Sequence, residues 1–141
     1  MTDLNVLEVN YYQILEETYI KHGNLIICFD FDNTVYDYHK LGIDFSPMIE
    51  LLKDCDELGL HLICNTSNGG ERLTFIKFYI REVLGIKQKV LINKTTEFDK
   101  SKPTEFYTKP YANIYLDDKG GLKEAYERLS KLINKIKNNK L

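Results

Sequence analysis

Five consecutive apolar residues, Leu25-Ile26-Ile27-Cys28-Phe29, end abruptly in Asp30, with Asp32 two residues on and Asn33-Thr34 behind it. A run this short, apolar at every position and closed by turn formers, reads as a central strand of a parallel sheet, buried on both faces. Such a sheet binds its ligands outside the carboxyl ends of its strands. Side chains alternate along a strand, so to a first approximation Asp30 and Asp32 point to the same side.

The rest of the chain repeats the pattern. Leu60 to Cys64 is a second apolar run, ending in the polar loop Asn65-Thr66-Ser67-Asn68-Gly69-Gly70. Lys89 to Ile92 gives a short third strand, and Asn113 to Leu116 a fourth that runs straight into Asp117-Asp118. Between them lie helical periods: Ser46-Pro47 opens one, with Ser46 as its cap and Pro47 at the first position, that Gly59 stops, and another runs from about Glu71 to Leu84. A last amphipathic helix spans about Leu122 to Lys137. Residues 4–20 carry Leu4, Leu7, Tyr11, Ile14 and Leu15 at helical spacing, which predicts a packing helix ended by His22-Gly23-Asn24.

Alternating strands and helices predict a Rossmann-like three-layer α/β/α sandwich with a mostly parallel sheet and right-handed crossovers. A strand order of 3-2-1-4 would bring Asp30, Asp32, Thr66 and Asp117-Asp118 to one rim. The crossovers put two helices on one face, and the N-terminal helix is expected to help cover the other.

At 141 residues this is one domain, residues 1–141, with 1–22 as a helical extension packing on the core. The net charge of −2 gives no broad attraction to nucleic acid or anionic membrane. Three cysteines, two of them inside apolar runs, favour buried thiols in a reducing compartment over disulfides. The scattered histidines offer no zinc spacing. The opening residues do not read as a signal peptide, and no run approaches the ~20 apolar residues that cross a bilayer. The expected location is the cytoplasm.

Asp30-Phe31-Asp32-Asn33-Thr34 resembles the Asp-x-Asp-x-Thr nucleophile motif of the haloacid dehalogenase (HAD) superfamily of phosphotransferases. Leu62-Ile63-Cys64-Asn65-Thr66 is similar to its second motif, an apolar strand ending in Ser or Thr. Ile114-Tyr115-Leu116-Asp117-Asp118 is similar to its fourth, an apolar strand ending in an acidic pair. The three stand in the family's order, each at a strand end. The resemblance implies a HAD-like core without a cap domain, since neither insertion point leaves room for one.

It also implies the chemistry. Asp30 would be the nucleophile and Asp32 the acid and base. Mg²⁺ would be held by Asp30, the backbone carbonyl of Asp32 and Asp118, with Asp117 orienting water or the lysine. Thr66 would donate to a phosphoryl oxygen, with Asn33, Thr34 and Ser67 also expected around the phosphate. Backbone N–H groups of Phe31, Asn33 and Ser67 would add donors. Tyr36, Tyr38 and His39 lie beside the nucleophile as candidate substrate contacts.

The third motif is a lysine, often followed by proline, and the chain holds Lys102-Pro103 and Lys109-Pro110. Geometry favours Lys102: a fully extended chain would put Lys109 about 26 Å from Asp117, at ~3.3 Å per residue. Capless members with a Tyr-Leu-Asp-Asp ending carry their lysine at the closer spacing, and that resemblance selects Lys109.

The implied activity is Mg²⁺-dependent hydrolysis of a small phosphorylated molecule, with a lid borrowed from a second copy in a homo-oligomer as one way to close an open site. The alternatives are an inactive domain that binds phosphate or a protein, and a phosphatase acting on nucleotides or nucleic-acid ends. The charge balance disfavours the nucleic acid.

Overall fold

The computed structural model describes residues 5–93 and 110–141. Among these, strands β1 (Ile26–Asp30), β2 (His61–Asn65), β3 (Leu91–Ile92) and β4 (Ile114–Leu116) form one sheet, every pair parallel. The order is β3-β2-β1-β4, the one that brings the ends of β1 and β4 together. The helices are α1 (Tyr11–His22), α2 (Ser46–Glu57), α3 (Glu71–Phe78) and α4 (Leu122–Lys137). A π-helical turn, Tyr79–Val83, continues α3.

The period-two alternation of β1 sorts its side chains into two clusters. Ile27 and Phe29 join Leu62, Cys64, Ile114 and Leu116 in the main core, with Leu52 of α2, Ile76 of α3, and Leu129 and Leu132 of α4. Ile26 and Cys28 face the other way, with Ile63 and Ala112, against Tyr111 and Tyr115. Both faces of the sheet are therefore buried, and the layout is a broadly Rossmann-like α/β fold built on a parallel sheet. No described helix is long and apolar enough to cross a membrane. All three cysteines are buried thiols, and burial pushes Cys55 up to about 12, so it stays protonated and unreactive.

Side-chain amides carry the sheet past its strands. At the foot of β1, Asn113 mimics a strand partner: its N–H donates to the Ile26 carbonyl, and its Oδ1 accepts from the Ile26 N–H, both at 2.8 Å. Gln88 does the same beneath β3, accepting from Leu62 N–H at 3.0 Å and donating to the Leu60 carbonyl at 2.8 Å. That is why β3 needs only two residues. Each substitution meets the requirement that a buried backbone polar group find a partner.

Two expectations need correction. Ser46 is the first residue of α2 rather than its cap, and its N–H is taken by Asp44 Oδ1 at 2.9 Å. The N-terminal helix starts at Tyr11 and does not cover the opposite face. Its single buried residue, Leu15, joins the main core, and α1 packs beside α4. Leu7, Tyr11 and Ile14 are exposed, and Leu4 lies outside the described residues.

The reason lies in what α4 presents. Lys131 and Lys135 sit 4.2 and 5.1 Å from the centre of the Tyr12 ring, and Lys135 pairs with Glu16 at 3.2 Å. These contacts draw α1 alongside α4 through a polar and aromatic seam rather than through a broad apolar face. Leu15→Ala is accordingly expected to cost about 2 kcal/mol. Ile14→Ala, at 49 % exposure, should cost less than ~0.5 kcal/mol. Denaturant midpoints of the two variants check this; equal losses would mean that α1 buries a wider face.

Candidate active site

Parallel pairing of β1 with β4 places Phe29 opposite Leu116, so the next residues, Asp30 and Asp117, leave the sheet side by side. Carboxylate oxygens of Asp30, Asp117 and Asp118 all lie within 4.8 Å of one another. Asp30 is half-buried, and its Oδ1 accepts from the Phe31 N–H at 3.0 Å. Burial pushes its carboxyl up to about 6, helped by a hydrogen bond shared with Asp118 and by the charges of Asp117 and Asp118. The Phe31 N–H works in the opposite direction. Asp117 is fixed by the turn into α4, where its Oδ1 accepts from Lys119 N–H at 3.0 Å. Asp118 is exposed.

Such a group is a hard, all-oxygen donor set, and its mutual repulsion is what a small divalent cation would relieve. The chemistry of the donors fits Mg²⁺ or Ca²⁺, and not a metal that prefers thiolate or imidazole.

Asp32 stands apart from this triad. Its Oδ1 is paired with Arg72 Nη2 at 2.8 Å, and its Oδ2 accepts from Asn68 Nδ2 at 3.1 Å. The turn that carries it is tight: Asn33 has a left-handed φ of 62°, and its N–H donates to the Tyr36 carbonyl at 2.7 Å. Asn tolerates that conformation better than most residues. The Phe31 carbonyl accepts from Val35 and Tyr36.

Two of the three backbone donors expected around a phosphate are thus engaged within the protein: Phe31 with Asp30, and Asn33 with Tyr36. Ser67 is exposed on the rim. Thr34 is fully buried and its hydroxyl has no hydrogen-bond partner among the described residues, so it packs under the turn.

Thr66 follows β2. Asn93 brackets its backbone, accepting from Thr66 N–H at 2.8 Å and donating to the Thr66 carbonyl at 2.7 Å. Asn68 donates twice to the Thr66 hydroxyl oxygen, from its backbone N–H at 3.2 Å and its amide at 2.8 Å. The hydroxyl's own proton has no acceptor among the described residues. Lys102 and Lys109 lie outside the described residues. Tyr36 stacks on Phe31 at 5.3 Å, while Tyr38 and His39 meet edge-on at the exposed lip.

Sequence reasoning missed Arg72, Asn68 and Asn93. Arg72 had a readable signal. It occupies the first turn of α3, where the helix dipole disfavours a cation unless a carboxylate faces it.

No protein-family model matches the sequence, and no curated protein matches it. Among solved structures, the chain is similar to one described as the structure of the conserved protein coded by locus from Bacteroides thetaiotaomicron. That likeness has 23 % identity over 77 % of this chain and 91 % of the other, with a TM-score of 0.57. It speaks for the fold alone.

A raised carboxyl means that the folded state holds its proton more tightly than the unfolded chain. Stability is then lost as pH climbs from about 4 through 6, and the cost is complete at neutral pH. Discounted for partial exposure, the ionised Asp30 should cost the metal-free protein about 1 kcal/mol. Asp30→Asn is expected to raise the denaturant midpoint at pH 7.5 in chelator and to leave it nearly unchanged at pH 4. A stabilisation equal at both pH values would show that charge is not its source.

Proposed function

We propose that the chain is a divalent-cation-dependent phosphomonoester hydrolase of the capless HAD-like kind. The observation that carries this reading is the convergence of Asp30, Asp117 and Asp118 at the carboxyl ends of two adjacent parallel strands. Thr66 and Asp32, joined through Asn68, stand on the same rim. The geometry supports the order of motifs that resembles that superfamily.

In this reading an Asp30 carboxylate oxygen attacks phosphorus as the bond to the substrate's leaving oxygen breaks. Asp32 gives its proton to that oxygen, and the alcohol departs. Water then attacks the aspartyl-phosphate, Asp32 takes a proton from it, and Asp30 is restored with release of inorganic phosphate. Thr66 donates its hydroxyl proton to a phosphoryl oxygen. Mg²⁺, held by Asp30 and Asp118 with Asp117 behind them, supplies neutralisation of phosphoryl charge when bound. Lys109 is proposed as the cation of the third motif, in preference to Lys102.

Asp30→Asn should abolish turnover of an aryl phosphate in Mg²⁺ while circular dichroism stays unchanged. Turnover equal to that of the parent protein would remove Asp30 as nucleophile. The acidic pair separates by a titration. Asp118 is the exposed member and shares a hydrogen bond with Asp30, whereas Asp117 is tied to the backbone of Lys119. Asp118→Ala is expected to raise the half-saturating Mg²⁺ concentration about tenfold more than Asp117→Ala does. The opposite ranking would exchange their roles.

A further inference from the structure

The Asp32 carboxylate is gripped at both oxygens, by Arg72 at 2.8 Å and by Asn68 at 3.1 Å. Arg72 is itself caged. Its guanidinium carbon lies 5.1 Å from the ring centre of Phe75, 5.2 Å from Tyr36, 5.6 Å from Tyr38 and 6.0 Å from Phe31. These rings brace one another: Tyr36 meets Phe75 edge-on at 5.5 Å and Tyr79 at 5.2 Å, and Phe31 meets Tyr79 at 5.5 Å. The Arg72 Nε is buried without a hydrogen-bond partner among the described residues. Asp32 is the only acidic group paired with it among the described residues.

A guanidinium walled by aromatic faces is stabilised where it stands and has already lost water on those sides. Swinging out toward a bound anion would forfeit the cage and leave Asp32 without its counter-charge. Arg72 is therefore built to stay.

We propose that Arg72 and Asn68 are positioning residues that clamp the Asp32 carboxylate, hold it apart from the Asp30–Asp117–Asp118 triad, and fix it relative to the Thr66 hydroxyl. The inference rests on the phosphomonoesterase reading of the same rim. Each oxygen of a carboxylate has two lone pairs, so one clamp contact per oxygen leaves Asp32 able to address a leaving oxygen or a water. Asn68 couples this carboxylate to the second strand, because the same amide reaches Asp32 Oδ2 and Thr66 Oγ1. Without the clamp, Asp32 is free to turn, and a misplacement of about 1 Å is worth about 100-fold in rate.

Kinetics of an aryl phosphate in saturating Mg²⁺ test the idea on Arg72→Met, Arg72→Lys and Asn68→Ala. Methionine keeps an apolar stem for the cage, and Asn68→Ala loosens the other oxygen without touching the cage. For Arg72→Met, kcat is expected to fall about 100-fold with KM within about threefold. Lysine should recover part of the loss, because it restores the charge but not the planar fork. Asn68→Ala should also lower kcat. A rise in KM with kcat preserved would make Arg72 a substrate contact and overturn the proposal, as would unchanged kinetics in both Arg72→Met and Asn68→Ala.

Denaturant midpoints of Arg72→Met, Asp32→Asn and the double variant form a second arm that needs no turnover. The clamp predicts that Arg72→Met lowers the midpoint less in the Asp32→Asn background than in the parent. Strictly additive effects would overturn the clamp. An inactive parent protein with coupling intact would instead overturn the phosphatase reading and leave the clamp standing.

Discussion

The pairing of β1 with β4 governs everything at the rim. Neighbouring strands lie about 4.8 Å apart, so two strands that both end in aspartate deliver their carboxylates at roughly that separation. Nothing else needs to fold for Asp30 to meet Asp117; the ladder from Ile27–Ile114 to Phe29–Leu116 suffices. Apolar burial on both sheet faces holds that ladder in register, since a slip of one residue would turn Phe29 and Leu116 out of the core. Hydrophobic packing thus sustains a concentration of like charge that would not form on its own.

The rim answers that charge in two ways. At Asp32 the counter-charge is covalently part of the chain, in the form of Arg72. At Asp30 burial, joined by the two more carboxylates that the described residues bring, holds the carboxyl above its ordinary range. One carboxylate of the pair is therefore matched by Arg72, and the other has no cation paired with it among the described residues. The amides of Asn68 and Asn93 hold the two halves together across β1, β2 and the end of β3.

Much of this is legible in the chain because apolar runs and turn formers act locally. The run Leu25 to Phe29 fixes a buried strand, and the same logic locates β2, β4 and α4 to within a residue or two. What the periodicity cannot show is which polar side chains will impersonate backbone. Asn93 and Gln88 read as loop residues and Asn113 as the first residue of a strand, and their amides become rungs only once the sheet brings partners to them. Likewise, Leu4 to Leu15 has helical spacing, yet spacing does not say how much of a face finds a partner. Here α1 meets α4 through Tyr12, Glu16 and two lysines, and buries only Leu15 fully. The clamp on Asp32 was hidden for a similar reason: Arg72 and Asp32 are 40 residues apart and share no local pattern.

The π-helical turn at Tyr79–Val83 has a consequence for how this segment can vary in length. Its closing bond runs from Leu84 N–H back five residues to the Tyr79 carbonyl, at 2.9 Å. That one-residue surplus shifts the phase of the helix. Across this segment Arg72, Phe75 and Tyr79 meet the aromatic cluster at the rim, while Ile76, Ile80, Leu84 and Ile86 lie in the core. A single deletion inside Tyr79–Val83 would restore ordinary helical winding and rotate the residues beyond it by about 100°. The core would then have to give up Leu84 and Ile86, or the aromatic cage its Tyr79. This stretch should therefore tolerate substitution at its exposed positions far better than any change in residue count.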